Sequence, residues 1–85
     1  MAFEDAELIA AFVVESLEHL ADVENQLHSI ESGGAEIDIE LVNTVFRAVH
    51  SVKGAAGFLG LQTINRLSHS LENVLNRVRN RELVP

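Results

Sequence analysis

His50, Lys53, His69 and Glu72 are the side chains of this sequence whose types and spacing could do chemistry together. A neutral imidazole is a good nucleophile when one ring nitrogen is stripped of its proton and the other is held as N–H. Glu72 can accept that N–H and fix the tautomer of His50, leaving the other nitrogen free to attack a phosphoryl group. Lys53 can offset charge on the transferring phosphate, and His69 can add a donor. Spacing makes the meeting feasible. Lys53, Gly54 and Gly57 follow His50 by three, four and seven residues and so lie along its face of a helix. With Gly60 as the middle of a helical hairpin and a rise of about 1.5 Å per residue, His50 lies roughly 15 Å from the turn, and on the opposing helix His69 lies at roughly 14 Å and Glu72 at roughly 18 Å. The four are expected at one level of an exposed groove.

The run His50-Ser51-Val52-Lys53-Gly54-Ala55-Ala56-Gly57 puts two glycines inside a helix, each at a cost of about 1 kcal/mol relative to alanine. Close packing of another helix of the same domain is one explanation. The other is a docking face: Gly54 and Gly57 keep the neighbourhood of the imidazole bare, so that a partner can bring a reactive group up to it. His19 and His28 fall among polar neighbours and are read as solvated, as are the acids Glu15, Glu18, Asp22 and Glu24. Phe46, Phe58 and Leu59 are read as core or hairpin packing.

Three helical segments must position these residues. From Asp5 to Glu31, Leu8, Ile9, Phe12, Val13, Leu17, Leu20, Val23, Leu27 and Ile30 recur at helical steps, which predicts one long amphipathic helix over 5–31. Ser32-Gly33-Gly34 ends it. Asp38 is the expected N-cap of a second helix over 39–58, with Glu40 in its first turn. Its stripe runs Leu41, Val42, Val45, Phe46, Val49, Val52, Ala56 and Leu59 until Gly60 permits a turn. A third helix over 62–81 has Ile64, Leu67, Leu71, Val74, Leu75 and Val78 as its expected buried face, and Arg77, Arg79 and Arg81 suit the negative pole of its dipole. No alternating strand pattern appears. The fold class is all-α, an up-down antiparallel helical bundle.

At 85 residues the chain has room for one domain, and it contains no cysteine, which excludes disulfides and thiolate metal sites. Thirteen acids against six bases give a net charge of −7, which disfavours nucleic acid and anionic membrane as partners. Residues 4 to 40 hold most of the acids and no Lys or Arg, whereas every base falls between Arg47 and Arg81. An anion is tolerated best in that later part. No apolar run reaches the roughly 20 residues of a membrane span, and Met1-Ala2-Phe3-Glu4-Asp5 lacks the basic start of a signal peptide. The expected location is cytoplasmic.

Phe46-Arg47-Ala48-Val49-His50-Ser51-Val52-Lys53-Gly54-Ala55-Ala56-Gly57-Phe58-Leu59-Gly60-Leu61, followed by Leu67-Ser68-His69-Ser70-Leu71-Glu72-Asn73-Val74-Leu75, resembles the histidine-phosphotransfer (HPt) domains found at the N-terminus of chemotaxis histidine kinases of the CheA type. The resemblance extends over essentially the whole chain. It implies that His50 is phosphorylated by a histidine-kinase catalytic domain, usually of the partner subunit, and donates the group to an aspartate of a response-regulator receiver domain. It implies also that Glu72 orients the imidazole and that Lys53 and His69 assist. No Gly-rich nucleotide loop is present, so the domain is expected to bind no cofactor itself, and ATP and Mg²⁺ would belong to the partner kinase domain.

The family's domain packs a fourth helix after the third, and this sequence stops before it. The expectation is therefore a single HPt domain over 1–85 that is truncated at the C-terminus, or a homodimer in which helices of a second copy cover the open bundle face. Two rival readings come from other classes. His50, His69 and Glu72 could supply three ligands to zinc, although Lys53 beside them would repel a cation. A plain self-associating bundle would need none of this chemistry.

Overall fold

The computed structural model describes residues 3–84. Four helices follow in order: α1 Phe3–Leu20, α2 Val23–Gly33, α3 Ile39–Phe58 and α4 Gln62–Arg79. They form three antiparallel arms, because α1 and α2 make a single arm. The uninterrupted helix expected over 5–31 is thus corrected: it breaks at Ala21–Asp22. There the Ala21 amide reaches back three residues to the Glu18 carbonyl, at a long 3.4 Å. Asp22 stays in the right-handed region at φ −102° and ψ −2°, so the arm runs on. Aspartate competes for backbone hydrogen bonds and is a weak helix former. The break also falls between two separate core clusters, which lets each half of the arm meet α3 on its own terms.

α3 is the central helix. Its start is set by Asp38, whose carboxylate accepts a hydrogen bond from the Leu41 amide at 3.1 Å, an N-cap that satisfies one orphan donor of the first turn. Its end is a Schellman turn: the Leu61 amide donates to the Ala56 carbonyl at 2.8 Å and the Gly60 amide to the Gly57 carbonyl at 3.2 Å. Gly60 takes φ +74°, the left-handed conformation that turn requires. α4 then returns alongside α3.

The stripe of α3 is buried as its spacing predicts, through Val42, Val45, Val49, Val52 and Ala56. One cluster joins Val42, Val45 and Val49 to Val23 and Ile30 of α2 and to Leu75 and Val78 of α4. The other joins Val52 and Ala56 to Phe12 of α1.

α4 sits differently from the expected face. Ser68, Glu72, Leu75 and Val78 are its buried residues, while Ile64, Leu67 and Val74 are exposed. The apolar stripe is turned roughly 60° away from the buried face of the helix. One flank of the stripe packs, and the other lines a groove facing α2 with Leu27 and Leu83. Phe58, expected to pack, is 85% exposed, at the edge of a shallow groove with Leu8 and Phe12 of α1. The Cα radius of gyration is 14.4 Å, against about 12 Å for a compact chain of this length. With extents of 48 × 20 × 15 Å, the bundle is elongated and open on one side.

Candidate functional site

His50, Lys53 and Glu72 meet where α3 and α4 run side by side. The α3 spacing puts Lys53 one turn after His50, and the hairpin register brings Glu72 opposite both. Nδ1 of His50 lies 2.8 Å from Oε2 of Glu72, and Nζ of Lys53 lies 2.6 Å from Oε1 of the same carboxylate. Each carboxylate oxygen therefore has its own donor. Glu72 was expected on a groove surface, yet its side chain is 7% exposed. It occupies a core position of α4 between Ser68 and Leu75, and a buried carboxylate persists there because both oxygens are paired.

Burial by itself raises the pKa of the Glu72 carboxyl. The hydrogen bonds from Lys53 and His50, with the positive field of Lys53, outweigh it and hold the group below the ordinary carboxylate range. An ionised carboxylate only accepts, so Nδ1 of His50 must be the donor. In the neutral ring Nε2 is then the nitrogen with the free lone pair. It sits on a side chain that is 62% exposed, so the nucleophilic atom can be reached by a partner.

His69, three residues before Glu72, is exposed on α4 and stays outside this hydrogen-bonded triad. The two glycines differ. A Cβ on Gly54 would meet nothing within 4 Å, whereas one on Gly57 would come within 3.2 Å of Nδ2 of Asn65. Asn65 donates from that nitrogen to the Lys53 carbonyl at 3.1 Å. Gly57 thus admits the α4 side chain that ties the two helices together, and Gly54 leaves open space beside His50. His19 and His28 are exposed.

Sequence reasoning missed the part played by Phe46, which neighbours the imidazole, and by Arg79, which neighbours Phe46. The Phe46 ring lies parallel to the His50 ring within 9°, with centroids 6.1 Å apart. The Arg79 guanidinium stands 4.9 Å from the Phe46 centroid and donates to Oδ1 of Asn43 at 2.8 Å, and also to Asn76. The four-residue step from Phe46 to His50 was a usable signal. Nothing in the spacing pointed to Arg79.

The zinc reading is not favoured by this geometry. Both oxygens of Glu72 are taken by Nδ1 and Nζ, and among the described residues no three His, Asp or Glu side chains come together as a metal site. No helix among the described residues is long and apolar enough to cross a membrane.

An exposed imidazole with one nitrogen tied to a buried carboxylate, on a helical hairpin, has the geometry that nucleophilic attack from the other nitrogen requires. The comparisons with known proteins agree. The family described as "Hpt domain" matches residues 7–85, and the chain belongs to it. It is 42% identical over 79 residues to a chemotaxis protein CheA of Rhizobium meliloti, covering 93% of this chain and 10% of that protein. It is 34% identical over 77 residues to the sensor histidine kinase CheAY of Helicobacter pylori, covering 91% of this chain and 9% of that one. Among solved structures it superposes on the CheA phosphotransferase domain from Thermotoga maritima with a TM-score of 0.83 and 36% identity, covering 99% of this chain and 77% of that one. The chain spans about a tenth of the length of the curated relatives it matches. As an Hpt domain of the CheA kind it is a histidine-phosphotransfer module.

Proposed function

We propose that His50 is the phosphoacceptor and that Nε2 is the reacting atom. The observation that carries this is the Nδ1–Glu72 bond at 2.8 Å on a side chain that is 62% exposed. The Nε2 lone pair forms the N–P bond to the γ-phosphorus of ATP as the bond from phosphorus to the bridging oxygen breaks and ADP leaves. Nδ1–H stays on the ring, and Glu72 balances the positive charge that the phosphorylated imidazole gains. In the second step a receiver-domain aspartate oxygen forms the new P–O bond, the N–P bond breaks, and the neutral ring returns. Lys53 holds Glu72 in place and offsets charge near the phosphate. His69 adds a donor for the phosphate, and of the two glycines expected on the docking face Gly54 leaves it bare while Gly57 seats Asn65.

The partners in this reading are a histidine-kinase catalytic domain, which brings ATP and Mg²⁺, and response-regulator receiver domains, in a cytoplasmic chemotaxis-type pathway. Self-association belongs to the proposal as well. Leu27, Val74 and Leu83 are exposed along the open groove, the α1–α2 arm is acidic, and α4 ends in Arg77 and Arg79. Two copies related by a two-fold axis could each lay the acidic arm over the other's basic helix end. Sedimentation that gives a monomer at all concentrations would remove this part.

Phosphoryl transfer from radiolabelled ATP by a chemotaxis-kinase catalytic fragment tests the main proposal. Wild type is expected to take up acid-labile label and His50→Gln none, and the label should then move to a receiver domain. Equal labelling of both chains would assign the chemistry elsewhere.

A further inference from the structure

Glu72 fixes one atom of the His50 ring, and one hydrogen bond is not enough to fix a ring. A side chain that is 62% exposed has few neighbours, and the imidazole can rock about the axis through its Nδ1–O contact. That motion swings Nε2 away from an in-line approach, and small misplacements of a reacting atom cost rate. Phe46 is the aromatic neighbour placed to restrict it. Its ring is nearly parallel to the imidazole at 9° with centroids 6.1 Å apart, within the range of offset aromatic pairs.

Phe46 is itself held. It is half-buried against the larger core cluster, and the Arg79 guanidinium stands 4.9 Å from its centroid. Arg79 is anchored in turn by Asn43 of α3 at 2.8 Å and by Asn76 of α4. Phe46 thus neighbours both the Arg79 guanidinium near the end of α4 and the imidazole.

We propose that Phe46, braced by Arg79, is a positioning residue for phosphotransfer: it fixes the plane of the His50 ring while Glu72 fixes its tautomer. This rests on His50 as the phosphoacceptor, so the test carries one readout that does not depend on phosphorylation.

The 85-residue chain with Phe46→Leu, Phe46→Tyr, Arg79→Met and Arg79→Lys would be compared with wild type by the initial phosphorylation rate and by ¹³C relaxation of the His50 ring carbons, assigned through His50→Gln. Phe46→Leu is expected to slow phosphorylation about two- to tenfold, the fold-change that an aromatic pair converts to. It should also raise ring mobility while the Nδ1–H tautomer persists. Phe46→Tyr keeps the ring and should restore both readouts. Arg79→Met should give a smaller change of the same kind, and Arg79→Lys less still. If Phe46→Leu proves too unstable to assay, the Arg79 pair carries the comparison. Wild-type rate with unchanged ring mobility in Phe46→Leu, or in Arg79→Met where Phe46→Leu cannot be assayed, overturns the proposal. Absence of labelling in wild type sinks the phosphoacceptor reading instead, and ring mobility still decides the positioning.

Discussion

Glu72 does two jobs that pull on each other. It is a buried carboxylate, which is costly, and it is the group that makes the imidazole directional. The conflict is resolved by giving each oxygen a donor, at 2.8 Å from His50 and 2.6 Å from Lys53, and these bonds hold its pKa below the ordinary range. The sign of the pH dependence follows. A carboxyl whose pKa is lower folded than unfolded contributes stability that is fully present above the unfolded value and is lost as the pH falls through the folded one. Wild type is expected to lose stability more steeply than Glu72→Gln as the pH falls through and below the unfolded carboxyl value of about 4.3. Parallel curves in denaturant titrations across that range would contradict this. The same substitution removes a charge-assisted bond, so phosphorylation should slow about ten- to hundredfold. Lys53→Met should slow it less, since the Glu72 bond to Nδ1 survives.

At the scale of the helices, the two glycines of α3 separate two physical roles that their sequence context does not distinguish. Gly54→Ala adds a methyl group into open space and should stabilise the chain by up to about 1 kcal/mol through helix propensity. If the bare surface serves a docking partner, the more stable protein is also the poorer substrate. Gly57→Ala has the same propensity gain, but its methyl group would lie 3.2 Å from Asn65 Nδ2, where the Asn65 bond to the Lys53 carbonyl must shift. Thermal melts should rank Gly54→Ala above Gly57→Ala, and the reverse order would mean that Asn65 yields freely. Much of this level was legible in advance. The Asp38 cap, the turn at Gly60 and the α3 stripe depend on local chemistry that adjacent residues display, and so does the level at which Glu72 meets His50. The break at Ala21–Asp22 was not legible, because no proline or glycine marks it, one aspartate is too weak a signal by itself, and each half-arm meets its own part of α3. Nor was the rotation of α4, since an apolar stripe announces that a face wants covering without saying which flank a neighbour will take. Glu72 looked exposed for that reason: counted against the stripe it falls outside, and counted against α3 it falls within.

Over the whole molecule the division of the core decides which parts can loosen without harm to the site. The larger cluster ties α2, α3 and α4 together through Val23, Ile30, Val42, Val45, Val49, Leu75 and Val78. α1 is held to α3 chiefly through Phe12 against Val52 and Ala56, and Val13, Val14 and Leu17 on the same helix are exposed. His50, Lys53 and Glu72 all lie on the α3–α4 hairpin, which the larger cluster anchors. Regions with few buried contacts open at lower free energy than the core that carries global stability. Amides of α1 should therefore exchange with solvent well before those of α3 and α4. Phe12→Ala is too severe a probe, since about 3–5 kcal/mol rivals the whole stability of a domain this small. Phe12→Leu keeps most of the volume and should cost less than about 1.5 kcal/mol. In that variant α1 exchange should accelerate while the His50 ring resonances, and the Nδ1–H bonded to Glu72, stay where they are in wild type. Loss of the Nδ1–H signal in step with α1 protection would mean that the two clusters open as one unit and that the acidic arm, not the hairpin alone, holds the imidazole ready.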